Sequence, residues 1–185
     1  MPRFLGEGAF SHAFRTSDGK HVIKRLKPKL LGTPLTHEER AAMASRYVAS
    51  IKTLRRAGLP VSNARVPARH PHMVVQRFAR RGVTFRELGV RARFRALISA
   101  VAISARAWYH LRRAGVRGVF VDPLVQNMRF DRAGRVVEWF DPVGPVSLAR
   151  WYRILVTRLF RPPATGPRSP RRTVSSPSTT PEGSR

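Results

Sequence analysis

The feature that most constrains the fold is the Asp18-Gly19 pair at the centre of the turn Ser17–Lys20. An Asp-Gly pair between two extended segments is a strong signal for a tight β-hairpin. The flanking segments, Ala9 to Arg15 and His21 to Leu26, have the composition of strands. The turn therefore predicts an antiparallel pair of strands, and Phe4-Leu5 begins a further strand before a glycine-rich turn.

A helix follows these strands. Thr36 and Glu39 form the Thr-x-x-Glu pattern of a capping box, which predicts a helix start. Apolar residues then recur at helical spacing as far as Leu54, and Gly58 with Pro60 ends the helix. Two more strands are predicted, one from Val66 to Arg69 and one from Met73 to Phe78. Residues 1–80 should thus form a β-rich lobe in the order β-β-β-α-β-β.

Residues 81–160 are predicted to form a smaller and mostly helical lobe. Its expected elements are a helix from Val90 to Arg113, a short extended segment at Val119–Val121, a hairpin of Met128–Phe130 with Val136–Phe140, and an amphipathic helix from Ser147 to Phe160. The apolar side of this last helix either packs on the small lobe or rests on a membrane surface. Residues 161–185 are rich in Pro, Ser and Thr, and this composition predicts a disordered tail.

The chain is strongly basic. Its 185 residues carry 36 Lys and Arg against 10 Asp and Glu, a net charge of +26. This balance favours a polyanionic partner such as nucleic acid, a phospholipid surface or an acidic protein. A general preference for arginine, with many arginines simply exposed to solvent, explains the positive charge equally well. The chain has no cysteine, which excludes thiolate metal sites. No transmembrane segment is expected because no apolar run approaches about 18 residues, and we expect a cytoplasmic protein.

Two segments near the start of the chain have the chemistry of a phosphate site. Gly6 and Gly8 lie in a turn between two β-like segments, where glycines allow backbone amides to approach phosphate oxygens. No helix follows this turn, so it is neither a P-loop nor a dinucleotide fingerprint. Lys24 lies on the strand expected beneath the turn, from where an ammonium group reaches a nucleotide phosphate.

Two further segments supply oxygen ligands. Asp122 and Asn127 form a D-x-x-x-x-N pattern between an apolar segment and a hairpin, and Asp141 ends that hairpin. Asn127 and Asp141 carry the hard oxygen donors that magnesium prefers. Asp122 is placed to orient or deprotonate a hydroxyl group. The chain has only ten acidic residues, and two of them occupy these positions.

From about residue 4 to residue 145, the chain resembles the protein-kinase-like superfamily, which includes small-molecule phosphotransferases. The run Gly6–Ala13 resembles the kinase glycine loop, with Ser11 in the place of its third glycine. Val22-Ile23-Lys24 resembles the V-A-I-K strand, and the run Arg81–Leu88 resembles the hinge of small bacterial kinase-like proteins. Asp122 to Asn127 resembles the catalytic loop, and Asp141 the Asp of D-F-G.

The resemblance implies an α+β fold with an antiparallel β-sheet N-lobe, an αC-type helix and a reduced helical C-lobe. It also implies binding of ATP and Mg²⁺. Gly6, Gly8 and Ser11 would cover the phosphates, and Lys24 would pair with the α- and β-phosphates. Asp122 would be the catalytic base, while Asn127 and Asp141 would hold magnesium. Glu39, or else Glu38, would pair with Lys24, although helix capping explains Glu39 equally well.

Several positions depart from the family pattern. Phe120 replaces the usual catalytic-loop His, Leu124 replaces a Lys, and Pro142-Val143 follows Asp141 in place of Phe-Gly. A peptide-binding platform is missing, which argues against an ordinary Ser/Thr protein kinase, and an oligomer would be one way to complete the lobe. We therefore expect an ATP- and magnesium-dependent phosphotransferase with an unidentified acceptor. A pseudokinase and a basic nucleic-acid-binding protein are the alternatives.

Overall fold

The computed structural model describes residues 1–30, 32–78 and 82–144, and their elements follow one another along the chain in two halves. The first half contains β1 (Arg3–Glu7), β2 (Ser11–Arg15), β3 (His21–Leu26), β4 (Lys29–Leu30), β5 (Thr33–Pro34), α1 (His37–Arg56), β6 (Ala64–Arg65) and β7 (Met73–Arg77). The second half contains a 3-10 turn (Phe85–Glu87), α2 (Val90–Arg113), β8 (Phe120–Val121), a 3-10 turn (Val125–Asn127), β9 (Met128–Phe130), β10 (Val136–Trp139) and β11 (Val143–Gly144).

The first half is built on a five-stranded antiparallel sheet with the order β1-β2-β3-β7-β6. Gly19 has a φ of 64°, and its amide donates to the Thr16 carbonyl, which closes the tight turn between β2 and β3. The Asp18 carboxylate accepts from the Lys20 amide in the same turn. The predicted hairpin and the α+β class are confirmed.

Helix α1 begins at the predicted capping box. The Thr36 hydroxyl accepts from the Glu39 amide at 3.1 Å, and the Glu39 carboxylate accepts from the Thr36 amide at 2.8 Å. Ile51 and Leu54 on the inner face of α1 are fully buried, and Met43 and Tyr47 nearly so. This face packs against the sheet through β6 and β7 and supplies a large part of the core.

One predicted strand lies elsewhere. Residues 66–69 were predicted as extended, but the strand observed is β6 at Ala64–Arg65, which pairs with β7. Pro67 explains the difference because it has no amide hydrogen to donate to a ladder. The Pro67 carbonyl instead accepts from the His70 amide, so residues 67–70 close a turn.

The second half combines α2 with short antiparallel pairs. Strands β9 and β10 form a hairpin, and β8 pairs with β11. Phe130 and Trp139 on the hairpin are fully buried and join the same core cluster as α1. Val61 forms a parallel bridge to Trp139, which ties the two halves together. In the described part of the chain, neither helix is apolar over enough of its length to cross a bilayer.

Three sequence predictions lie outside the described residues. These are the start of the hinge-like segment at residue 81, the amphipathic helix at 147–160 and the tail at 161–185.

Candidate functional site

Lys24 and Asp141 form an ion pair that joins the sheet to the loop after β10. Lys24 lies within β3, opposite Ala13 of β2 and Val74 of β7. Its Nζ is 3.0 Å from Asp141 Oδ1. The Lys24 side chain is 12% exposed, and that of Asp141 is 39% exposed. The ammonium group is therefore largely withdrawn from water, while the carboxylate still faces solvent.

The hydroxyl of Tyr47 completes this pair from α1. Lys24 Nζ donates to it at 3.1 Å, and the hydroxyl lies 3.2 Å from both Asp141 Oδ1 and Gln76 Oε1. Burial, followed by the charge of Asp141, raises the pKa of Tyr47 well above its ordinary value. Tyr47 therefore stays protonated and has one hydrogen to donate to these acceptors.

The carbonyl of Phe140 is the second point at which the two halves meet. It accepts from Gln76 Nε2, from the Tyr47 hydroxyl at 3.3 Å and from Lys24 Nζ at 3.5 Å. Gln76 is 2% exposed and lies among apolar neighbours. Because buried polar groups need partners, this network fixes the position of the residue just before Asp141.

Tyr47 and Gln76 belong to the site in the structure but are not among the residues predicted from the sequence. The helical spacing of Met43, Tyr47, Val48, Ile51 and Leu54 places Tyr47 among the core residues of α1 and gives it no role in the site. Gln76 occupies an inward position of β7, two residues after the buried Val74. A polar residue at an inward position of an otherwise apolar strand was the available signal, because strand side chains alternate with period two.

Asp122 and Asn127 lie together in the loop between β8 and β9. Asn127 Nδ2 donates to Asp122 Oδ2 at 3.0 Å, and the Leu124 amide donates to Asp122 Oδ1 at 3.1 Å. The Asp122 amide in turn donates to the Pro142 carbonyl at 2.9 Å, which holds this loop beside Asp141. The D-x-x-x-x-N pattern thus forms one hydrogen-bonded unit.

The environment of Asp122 makes it a stronger base than an ordinary aspartate. Burial raises the pKa of Asp122, and the negative charge of Asp141 raises it further. Hydrogen bonds from Leu124 and Asn127 oppose that rise. A carboxylate with a raised pKa accepts a proton more readily once it is ionised.

The glycine-rich turn lies over the same region. Gly8 donates its amide to the Ser11 carbonyl at 2.9 Å, which closes the turn between β1 and β2. A Cβ added at Gly6 would have no neighbour within 4 Å. Glu7 pairs with Lys27, and the hydrogen bond from Lys27 lowers the pKa of the Glu7 carboxyl. The turn is therefore fixed by the Gly8–Ser11 hydrogen bond and the Glu7–Lys27 pair, and the space beside Gly6 is open.

Two adjoining cavities meet at the ion pair. The larger one has a volume of about 340 Å³, within the range of small-molecule sites. It is lined by Leu5, Gly6, Glu7, Gly8, Ser11, Ala13, Val22, Lys24, Gln76, Arg77, Phe78, Arg129, Phe140 and Asp141. The smaller one, of about 70 Å³, lies beneath the tip of the turn and includes Asp122. Gly8, Ser11, Lys24 and Asp141 line both cavities.

Glu39 is not brought to this site. It serves as the reciprocal partner of Thr36 in the capping box at the start of α1. Within the described residues, the only ion pair of Lys24 is with Asp141, so neither Glu39 nor Glu38 pairs with it. The structure thus favours the capping role over the expected nucleotide-site role, because the local hydrogen bonds already satisfy the Glu39 carboxylate.

The oxygen donors that the described residues place near Asp141 include two that are free to bind a magnesium ion. In the described part of the chain, no three His, Cys, Asp or Glu side chains cluster as a metal site. Asp141 Oδ2 and Asn127 Oδ1 have no hydrogen-bond partner among the described residues. Two protein oxygens suit Mg²⁺, which usually keeps several waters and takes its other ligands from substrate phosphates. The donor set fits a phosphate-bound magnesium ion and no ion held by protein alone.

Comparison with known proteins gives a distant likeness in structure. No protein-family model matches this chain, and no curated protein matches it. A solved structure, the Rv3197–erythromycin complex from Mycobacterium tuberculosis, aligns with a TM-score of 0.44 and 15% identity. The match covers 77% of this chain and 46% of that one, so the chain spans less than half of the relative's length. The likeness is too distant to carry an argument about function.

Proposed function

We propose that this chain is a kinase-like phosphotransferase that uses ATP and Mg²⁺. The observation that carries the proposal is the Lys24–Asp141 ion pair in a cleft beneath a glycine-rich turn, with Asp122 and Asn127 hydrogen-bonded to each other beside it. These are the four segments whose order along the chain resembles the kinase motifs.

Different residues of the cleft would bind the nucleotide and the magnesium ion. Gly6, Gly8 and Ser11 line the cavity that would take the nucleotide, and the Lys24 ammonium group would bind its phosphates. Asp141 and Asn127 would hold Mg²⁺, which neutralises phosphate charge when it is bound. Because Asp141 now pairs with Lys24, nucleotide binding would replace this pair with a phosphate–Lys24 contact.

Asp122 is the proton acceptor in this proposal. The acceptor hydroxyl oxygen forms a bond to the γ-phosphorus while the bond from that phosphorus to the β–γ bridging oxygen breaks and ADP leaves. The hydroxyl proton passes to the Asp122 carboxylate. The raised pKa of Asp122 suits this step, and Asn127 holds the carboxylate in position.

The first experiment is titration calorimetry of ATP with and without Mg²⁺. We expect magnesium-dependent binding in the wild type and a loss of at least about tenfold in affinity in Lys24→Ala and in Asp141→Asn, since each removes a charged contact. Lys52→Ala, which removes an exposed lysine of α1, is the matched control. Glu39→Ala should bind ATP like the wild type, because Glu39 caps the helix. A folded wild type without any response to ATP would overturn the proposal.

A second candidate function is nucleotide binding without turnover. The Phe10 ring at the tip of the turn lies 6.4 Å from the Phe120 ring, and Phe120 packs directly onto Gly144. The turn therefore closes onto the catalytic-loop segment above a cavity of only about 70 Å³. A triphosphate would fit there only after Phe10 moves away.

ADP formation separates the two functions. A phosphotransferase should form ADP from Mg-ATP, slowly with water as the acceptor, and Asp122→Asn should reduce the rate by two orders of magnitude or more. Binding of Mg-ATP in the wild type, with ADP formation no faster than in Asp122→Asn, would support the second candidate. Phe10→Ala should increase ATP affinity if closure of the turn limits access.

A further inference from the structure

Helix α2 has two apolar faces, and among the described residues only one of them packs against the rest of the fold. The face against the core consists of Ala96, Ala100, Ile103, Ala107 and Leu111, which are all buried. The other face is exposed, although its side chains are larger. It consists of Val90, Phe94, Leu97, Ile98, Val101, Trp108 and Tyr109, a set that we call the outer face. The spacing of these residues places them on one side of the helix along its length.

The outer face is too large and too apolar for an ordinary solvated surface. Val90, Phe94 and Val101 are 83%, 68% and 67% exposed. From Val90 to Trp108 the face runs for about 27 Å at the helical rise of 1.5 Å per residue. Single exposed apolar residues are common, but a contiguous apolar stripe of this extent marks an interaction site.

The charges beside the outer face are all positive. Arg91, Arg95, Arg106 and Arg113 are exposed and lie along one side of it, and none forms an ion pair with another described residue. No Asp or Glu occurs between Glu87 and Asp122. The surface around α2 therefore complements a negatively charged partner over its whole length.

We infer that the outer face of α2 docks on the surface of an anionic phospholipid bilayer. An interfacial helix has this composition, with Phe, Leu and Trp on one face and arginines beside them. Trp108 and Tyr109 near the end of α2 are the residue types that favour the lipid–water boundary. The arginines reach lipid phosphates while their stems lie along the apolar surface. This inference is independent of the proposed phosphotransferase function.

A bilayer suits these observations better than a protein partner does. The outer face carries no carboxylate that would specify a complementary protein. Its hydrogen-bonding groups, the Trp108 indole N–H and the Tyr109 hydroxyl, lie near its C-terminal end. There the Arg112 guanidinium is 5.2 Å from the centre of the Trp108 ring, and Arg113 donates to the Tyr109 hydroxyl. The opposite charge needed along the arginine side is supplied continuously by anionic headgroups. The helix would lie in the plane of the membrane with its buried face still packed on the protein.

The test is flotation of the full-length protein with lipid vesicles. We expect binding to vesicles of phosphatidylcholine with about one-third phosphatidylglycerol, and weak binding to phosphatidylcholine alone. Phe94→Glu/Val101→Glu should reduce partitioning roughly tenfold or more, because two large apolar side chains no longer enter the lipid. The matched control is Ala42→Glu/Ala49→Glu, which adds two carboxylates at the same spacing on exposed positions of α1 and should change partitioning less than about threefold.

Tryptophan quenching provides a second readout. In a Trp151→Phe background, vesicles with brominated acyl chains should quench Trp108, and Trp108→Phe should remove that quenching. Trp139 is fully buried and provides a constant signal.

Four results would overturn the inference. Failure of the wild type to bind anionic vesicles would be the first, and it is the result expected if another segment of the chain covers the outer face. An equal loss of binding in both double variants would show attraction by charge alone. A dimer in solution that Phe94→Glu/Val101→Glu dissociates would identify a second copy as the occupant. Bound protein whose Trp108 is not quenched would place a different surface on the lipid.

Discussion

The two long helices use their apolar residues in opposite ways. Helix α1 buries large side chains, including Met43, Ile51 and Leu54, against the sheet. Helix α2 approaches the core closely through three alanines and keeps Phe94 and Trp108 in solvent. Helix α1 is therefore part of what holds the protein together, whereas α2 combines a modest packing role with a surface that is available for contact.

The N-terminal ends of the two helices differ in the same direction, while the last turn of each helix carries two arginines. Helix α1 has a complete capping box, two acidic residues in its first turn and two basic residues in its last. Helix α2 has Gly89 at its N-cap position, which provides no side-chain cap, and it has no acidic residue in its first turn. Because caps and charges at helix ends stabilise the helix locally, α1 is the better stabilised of the two.

The largest expected difference comes from matched isoleucines. Ile51→Ala removes a fully buried side chain from α1 and should lower the free energy of unfolding by about 2–5 kcal/mol. Ile98→Ala on the outer face of α2 should change it by less than about 0.5 kcal/mol. Urea unfolding followed by circular dichroism measures both. Equal losses would contradict the division of roles between the helices.

Two glycines, one packed against α2 and one at the end of α1, should differ in the stability lost when each is replaced by alanine. Gly134 has a φ of +88°, and an added Cβ would collide with the backbone carbonyl of Ala92 in α2. Gly134→Ala should therefore cost about 2–4 kcal/mol through clash and strain. Gly58 at the end of α1 has a φ of +74° with no atom within 4 Å of an added Cβ, so Gly58→Ala should cost only about 1–2 kcal/mol. Thermal unfolding of both variants tests this order.

Substitutions at the N-caps of the two helices should change the free energy of unfolding in opposite directions. Thr36→Ala removes the α1 cap and should lower stability by about 1 kcal/mol, while Gly89→Ser should raise it by a few tenths. Both are measured by chemical denaturation. A gain at residue 89 larger than the loss at residue 36 would show that α2, and not α1, limits stability.

The smallest expected effect is the pH dependence contributed by Asp122. Its raised folded-state pKa means that the native state binds the proton more tightly than the unfolded chain does. This stabilising contribution is complete below the ordinary aspartate pKa and is lost as pH rises through the raised value. The stability of the wild type relative to Asp122→Asn should therefore decrease as pH rises across that window. Unfolding free energies measured from acid to neutral pH test the sign, and an increase would contradict the burial of this carboxylate.

The parts of the fold that depend on neighbouring residues were predictable from the sequence. The Asp18-Gly19 turn, the Thr36–Glu39 cap and the bounds of α2 at Val90 and Arg113 all rest on contacts within a few residues. The site was predictable only in part. Lys24, Asp122, Asn127 and Asp141 are brought to one cleft, but the partner of Lys24 is Asp141.

Two features depended on information that the sequence does not contain. The roles of Tyr47 and Gln76 come from a backbone carbonyl, that of Phe140, whose position is set by the whole fold. Helix α2 carries two apolar faces, and periodicity alone does not indicate which one turns inward. The face with the small residues packs on the core because its alanines let the helix approach closely. The face with the larger side chains is exposed.

The polar network at Phe140 also has a consequence for the order of folding. Its hydrogen bonds join residues that are 64 to 116 positions apart in the sequence. Contacts over such separations form late because a long loop must close first, whereas the hairpin and both helices need only local contacts. During synthesis, the sheet and α1 therefore emerge before the residues that close the cleft. We expect a nascent chain halted before Phe140 to have its first hairpin and α1 in place and to lack the closed cleft at Lys24.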